Sequence, residues 1–188
     1  FVGLAFWEGK LPSTTAATQA QLASIASGFS FSAEYVALYS GQSNAQIVNS
    51  LYTNLFGRAA EPVGLSDWAG RLQAGTETFA SIALQLTYSA QGTDATAIAN
   101  KLSASKAFTD ALNTPAEFIG YSGTASAASA RSWLATVTDS ATALAVALNG
   151  LDATVAAATG TGIVAPITPV GPPVTGTDLG PGTLGPGD

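Results

Sequence analysis

Val2-Gly3-Leu4-Ala5-Phe6-Trp7-Glu8-Gly9-Lys10-Leu11 returns 61 positions later as Val63-Gly64-Leu65-Ser66-Asp67-Trp68-Ala69-Gly70-Arg71-Leu72. Val, Gly, Leu, Trp, Gly, a cation and Leu recur in the same order. A second block follows each copy: Ile25-Ala26 to Ser32-Ala33-Glu34 is echoed by Ile82-Ala83 to Ser89-Ala90-Gln91, 57 positions on. Two blocks in one order, with a small length change between them, indicate a duplicated unit, and units of this period stack to share a core. In both copies Leu4/Leu65, Trp7/Trp68 and Leu11/Leu72 fall at i, i+3 and i+7, one face of a helix. The spacing makes each Trp a core anchor. Gly9 and Gly70 then sit mid-helix, where Gly costs about 1 kcal/mol against Ala, so their recurrence predicts a close backbone approach at each.

Working outward, Ser43-Asn44-Ala45-Gln46 reads as a capping box opening a helix with Ile47, Val48, Leu51, Tyr52, Leu55 and Phe56 on one apolar stripe. Gly57 ends it, and Pro62 prepares the next start. Gln73 to Thr76 makes a turn before a helix carrying Phe79, Ile82, Ala83 and Leu86 inward, which Gly92-Thr93-Asp94 is expected to break. Beyond it, Ala97 to Leu112 reads as one or two helices with Ile98, Leu102, Phe108 and Leu112 inward. Thr114-Pro115 caps a short helix. Gly123-Thr124 leads into one with Trp133, Leu134 and Val137 inward, and Asp139-Ser140 opens a last one through Leu144, Leu148, Leu151 and Val155. Runs alternating with period two are few. The expectation is an all-α, duplicated helical-repeat bundle over residues 1–159, with units of about 1–40 and 43–92 and a helical continuation. The second unit has a leading helix (Ile47 to Phe56) that the first lacks, so an equivalent helix is expected upstream or on a neighbouring subunit.

Residues 160–188 differ in kind. Six of the nine prolines lie there (Pro166, Pro169, Pro172, Pro173, Pro181 and Pro186), interleaved with Gly and Thr, a composition that favours extended or polyproline II backbone. The segment is expected to be held against its own body or a neighbour, with Pro166, Pro169, Pro172 and Pro173 as the candidate assembly tail.

Charge narrows the functional classes. Charged residues are 10% of the chain, against roughly 25% in soluble domains, while apolar residues are 47%. A surface so poor in charge can pack on copies of itself at little desolvation cost. The net charge is −6 and the six cations (Lys10, Arg58, Arg71, Lys101, Lys106, Arg131) are scattered, which disfavours nucleic acid and anionic lipid as partners. The longest apolar region, Leu144 to Ala158, is interrupted by Asn149, Gly150, Asp152 and Thr154, so no transmembrane span is expected. Cys, Met and His are absent, which removes disulfide and oxidation chemistry and suits an extracellular surface.

Without His or Cys there is no Ser-His-Asp or Cys-His nucleophile and no ordinary zinc site. Ser103 or Ser105 with Lys101 or Lys106 would be the remaining nucleophile pair, on what reads as a solvated helix face. The carboxylates Glu8, Glu34, Glu61, Asp67 and Glu77 read as exposed or capping groups. Arg58, between a helix stop and Glu61, is expected to fix the turn by an ion pair or a carbonyl cap. No catalytic, cofactor-binding or metal-binding residue is expected.

The run Leu51-Tyr52-Thr53-Asn54-Leu55-Phe56-Gly57-Arg58-Ala59-Ala60-Glu61-Pro62-Val63-Gly64-Leu65-Ser66-Asp67-Trp68, then Leu72-Gln73-Ala74-Gly75 and Tyr88-Ser89-Ala90, resembles a family of helical repeats of unassigned biochemical role. That family occurs in bacterial surface-layer proteins and in large type I-secreted, RTX-like extracellular proteins. Its usual Arg-Ala-Pro-Asp turn is Arg58-Ala59-Ala60-Glu61 here, and its second Ser-Glu pair is Ala90-Gln91. The motif residues carried over are Gly3, Leu4, Trp7, Leu11, Tyr52, Arg58, Gly64, Leu65, Trp68 and Leu72. The resemblance implies an extracellular, cell-surface location and structural work without a reaction. The expected function is a self-associating subunit of a bacterial surface layer or filament, partnered by copies of itself; the alternative is a module anchoring a larger secreted protein to cell-surface polysaccharide.

Overall fold

The computed structural model describes residues 9–11, 17–30 and 33–162, the side chains of Phe29, Ser30 and Glu34 excepted. Among them lie ten helices and no strand: α1 Gln19–Ser30, α2 Ala33–Tyr39, α3 Asn44–Phe56, α4 Pro62–Ala74, α5 Phe79–Ser89, α6 Gly92–Ala111, α7 Pro115–Gly120, α8 Gly123–Ala135, α9 Ala141–Asn149 and α10 Leu151–Thr159. The all-α expectation holds. No single helix among the described residues is long and apolar enough to cross a membrane.

The boundaries of the second repeat unit follow from local chemistry. The Ser43 hydroxyl accepts from the Gln46 N–H while the Gln46 side chain accepts from the Ser43 N–H, so two orphan donors at the start of α3 are satisfied together. Gly57 stops α3 with φ +73°, a left-handed conformation that Gly adopts without a Cβ clash. Pro62 occupies the first position of α4, and Gly75 closes it. Thr78 and Ser81 form a second capping box at α5.

Two cores result. In the first, Val48, Leu51, Tyr52 and Phe56 of α3 meet Ile82 and Leu86 of α5. Leu65, Trp68 and Leu72 of α4 lie half-buried over them, and α4 itself has no fully buried residue. Trp68 is therefore a cover on the core, not its centre. Helix α1 packs on α5, so Ile25-Ala26 and Ile82-Ala83, the two copies of one block, lie on neighbouring helices. Tyr35 and Tyr39 of α2 close on Phe79 with ring centroids 4.8 and 4.9 Å away. The second core joins Phe108 of α6 and Leu112, just past its end, to Val155 and Ala158 of α10, beside a smaller cluster of Ala104, Val137 and Ala147. Helix α6 packs on α3 and also on α8, α9 and α10, so it belongs to both.

Four expectations need correction. Gly92-Thr93-Asp94 is not a break but the first turn of α6; the break falls at Ala90-Gln91, and Asp94 sits where a carboxylate complements the helix dipole. Helix α6 is one helix whose buried stripe is Ala97, Lys101, Ala104, Phe108 and Leu112, while Leu102 is 70% exposed. The expected final helix is two, α9 and α10, bent by 57° around Gly150; the bend turns Ala147 to one cluster and Val155 to another. Gly9 lies in an exposed turn, and a Cβ at Gly70 would meet nothing within 4 Å. The close backbone approach occurs elsewhere: a Cβ at Gly120 would clash with the Thr159 carbonyl oxygen. Leu11 is half-buried, whereas Gly3, Leu4, Trp7 and the tail prolines Pro166, Pro169, Pro172 and Pro173 lie outside the described residues.

Candidate functional site

Arg58 leaves α3 just after its glycine stop and reaches across to the start of α6. Its Nε donates to Asp94 Oδ1 at 2.8 Å and its Nη2 to Asp94 Oδ2 at 2.7 Å, a two-pronged pairing of guanidinium with carboxylate. Nη1 donates to the Ala59 carbonyl at 3.1 Å and to Glu61. The guanidinium carbon also lies 5.5 Å from both the Tyr52 and Phe56 ring centres. The hydrogen bonds to Asp94 raise the Arg58 pKa above its ordinary value. Asn49 completes the turn by accepting from the Ala60 N–H at 3.0 Å. The expected pair with Glu61 is present, but the carbonyl contacted is that of Ala59 in the turn and not one at the end of α3; Asp94 is the partner that sequence reasoning missed. This arrangement locks α3, the turn and α6 together. A guanidinium in this setting holds its proton and does no acid-base chemistry.

Of the other motif residues in the second unit, Tyr52 lies beneath Arg58 and the rest pack in or against the core that Tyr52 joins. Tyr52, Leu65, Trp68 and Leu72 share the first core, and a Cβ at Gly64 would come within 3.1 Å of the Tyr52 hydroxyl. Arg71 lies over the Trp68 ring at 5.0 Å and pairs with Asp67 at 3.0 Å. Trp68 is thus enclosed by core on one side and a cation on the other.

Lys101 overturns the expectation of a solvated face. It is 7% exposed, and its Nζ donates to the Leu134 carbonyl at 2.9 Å, near the end of α8. Burial pushes its pKa down. Lys106 is exposed and pairs with Asp110 at 2.7 Å. Their recorded hydrogen bonds thus go to a carbonyl and a carboxylate, and neither goes to Ser103 or Ser105. Of the carboxylates, Glu61 pairs with Arg58, Asp67 with Arg71, and Glu77 accepts from the Ser81 hydroxyl at 2.5 Å, a bond that lowers its pKa. Glu8 and the Glu34 side chain lie outside the described residues. No group of three or more His, Cys, Asp or Glu side chains that could hold a metal ion occurs among the described residues.

The second core opens into a groove of about 480 Å³ between α6 and α8, with Tyr121 at one end. Phe108 stands 5.4 Å from Tyr121 and 5.6 Å from Trp133, so three rings follow one another along the groove. The indole N–H of Trp133 donates to the Ala147 carbonyl at 3.2 Å, which fixes the ring. Ser105, Thr109 and Arg131 bring two hydroxyls and a guanidinium to the same lining. Trp133 was expected inward and is half-buried there. The groove itself was missed, because Phe108, Tyr121 and Trp133 come from three separate segments.

A family model described as "Domain of unknown function (DUF4214)" matches residues 26–93, which span α2 to α5 and part of α1. No curated protein and no solved structure matches the chain.

Proposed function

We propose that this chain is a structural subunit of an extracellular bacterial assembly, a surface layer or filament, that works by self-association and carries no reaction. The observation behind this reading is the surface. Large apolar side chains stand exposed on several helices, among them Val63 at 82%, Ile119 at 78%, Leu102 at 70% and Val146 at 66%. They do so in a chain with only 10% charged residues. Such faces associate with little charge to desolvate. The matched family has no assigned activity, and the resemblance to surface-layer and secreted repeat proteins supports the extracellular setting. Light scattering and negative-stain electron microscopy of the purified chain test it. Polymers that Leu102→Lys and Val146→Lys together dissolve are the expected result; a monodisperse monomer at high concentration would defeat the reading.

The groove favours a second reading, a module that anchors a larger protein to cell-surface polysaccharide. Two half-exposed rings, Tyr121 and Trp133, beside hydroxyls and a guanidinium offer the stacking faces and polar groups that sugars use. Sedimentation with isolated cell-wall polysaccharide, compared between wild type and Arg131→Ala, tests it. Equal pelleting of the two would count against it.

A further inference from the structure

We propose that the groove between α6 and α8 is the docking site of the chain's own Pro166–Pro173 segment, taken up as a polyproline II helix. The segment reads Pro166-Ile167-Thr168-Pro169-Val170-Gly171-Pro172-Pro173. Polyproline II has three residues per turn, so Pro166, Pro169 and Pro172 align on one ridge, about 9 Å apart. Aromatic-lined grooves recognise that ridge, because the rings pack on proline and the preformed helix loses little entropy on docking. Here the half-buried Tyr121 and Trp133 supply rings on either side of the buried Phe108. Polyproline carbonyls have no internal donors, and Arg131 and Ser105 bring donor groups to the lining.

The chain's own exit point selects the source. Helix α10 ends at Thr159, whose carbonyl abuts Gly120; the next residue, Tyr121, forms the end of the groove. Pro166 stands seven positions after Thr159, with six residues between, a reach of up to about 25 Å when extended. A tether that short holds the segment at an effective concentration on the order of millimolar, which a free copy would rarely match.

The absence of cysteine makes the test direct. Ala127→Cys in the groove lining is combined with Thr168→Cys in the full-length chain, and disulfide formation is followed by mass spectrometry. The control pair is Thr168→Cys with Ser66→Cys, on an exposed position of α4. The expected result is linking at least about tenfold faster than the control. In an equimolar mixture of 14N and 15N protein, the linked peptides should share one isotope. Adding Pro166→Ala, Pro169→Ala and Pro172→Ala should bring linking down to the control rate. In the cysteine-free chain, the same three substitutions should shift the Trp133 indole N–H resonance. Linking no faster than the control overturns the proposal. Isotope-mixed links overturn it too, by assigning the groove to a neighbour's tail. The self-association reading is judged separately, by the particle size of the unsubstituted chain. A docked tail would also fill the space that a polysaccharide needs.

Discussion

The two cores of this molecule are built by different means. The first is filled by large side chains, with Val48, Leu51, Tyr52, Phe56, Ile82 and Leu86 meeting between helices whose ends carry capping boxes and left-handed glycines. The second buries Phe108, Leu112 and Val155 with Ala158, beside a cluster of smaller groups (Ala104, Val137 and Ala147), and it adds direct backbone contact where Gly120 meets the Thr159 carbonyl. A core of large residues tolerates small errors of approach, because side chains can shift. Contact through small residues brings main chains together and does not.

The widest gap between the cores should appear at glycine. Gly120→Ala places a Cβ against a carbonyl oxygen that belongs to a helix end, so a loss of about 3 kcal/mol is expected. Gly64→Ala in the first core meets only the tip of the Tyr52 ring and should cost under about 1 kcal/mol. Urea titration of both variants measures the difference, and equal losses would erase the contrast.

Next in size is the link between the cores. Arg58→Ala should cost about 1–2 kcal/mol, since Asp94 keeps a partly buried carboxylate without its two-pronged partner. Arg58→Lys should recover only part, because an ammonium cannot make both bonds. A double-mutant cycle with Asp94→Asn measures the coupling; additive losses would show that the pair does not hold α3 to α6. Ser43→Ala, which removes the cap of α3 and touches the first core alone, should cost about 1 kcal/mol in the same titration.

The smallest effect concerns Lys101, and it turns on pH. Its folded-state pKa lies below its unfolded value, so the folded state carries the full cost of the buried ammonium below the folded pKa. That cost fades as pH rises through the folded pKa toward the ordinary lysine value. Stability of the wild type relative to Lys101→Met should therefore improve between neutral and alkaline pH. Taking the difference also cancels Tyr35 and Tyr39, whose raised pKa values act in both proteins. At pH 7 Lys101→Met should be neutral or stabilising by up to about 1 kcal/mol, with the lost bond to Leu134 opposing the gain. A pH-independent difference would show that Lys101 stays equally hydrated in both states.

The same contrast explains what could be read in advance. In the first core, apolar residues at helical spacing and punctuation by Ser43, Gly57, Pro62 and Gly75 located three helices and their buried faces. In α6 the visible pattern held at Ile98, which packs half-buried on the first core, and misled at Leu102, which is exposed while Ala97, Lys101 and Ala104 are buried. Small side chains and a buried lysine leave little hydrophobic contrast along the sequence. Asp94 reads locally as part of a break, since its partner Arg58 lies 36 residues earlier and no local rule joins them. Gly150 hid inside an apolar run. The aromatic groove depends on three segments meeting in space, which periodicity within any one of them does not register.

Helix α6 is a member of both cores, and that has a mechanical meaning. With 20 residues it is the longest helix described, and it packs on α3 in one core and on α8, α9 and α10 in the other. Two bodies joined by a flexible strap can twist independently; two that grip the same rod cannot. A pull applied to either end of the described body would pass through α6 as axial load before it could separate the cores. The body would then yield in one step under force, with α6 bearing the tension.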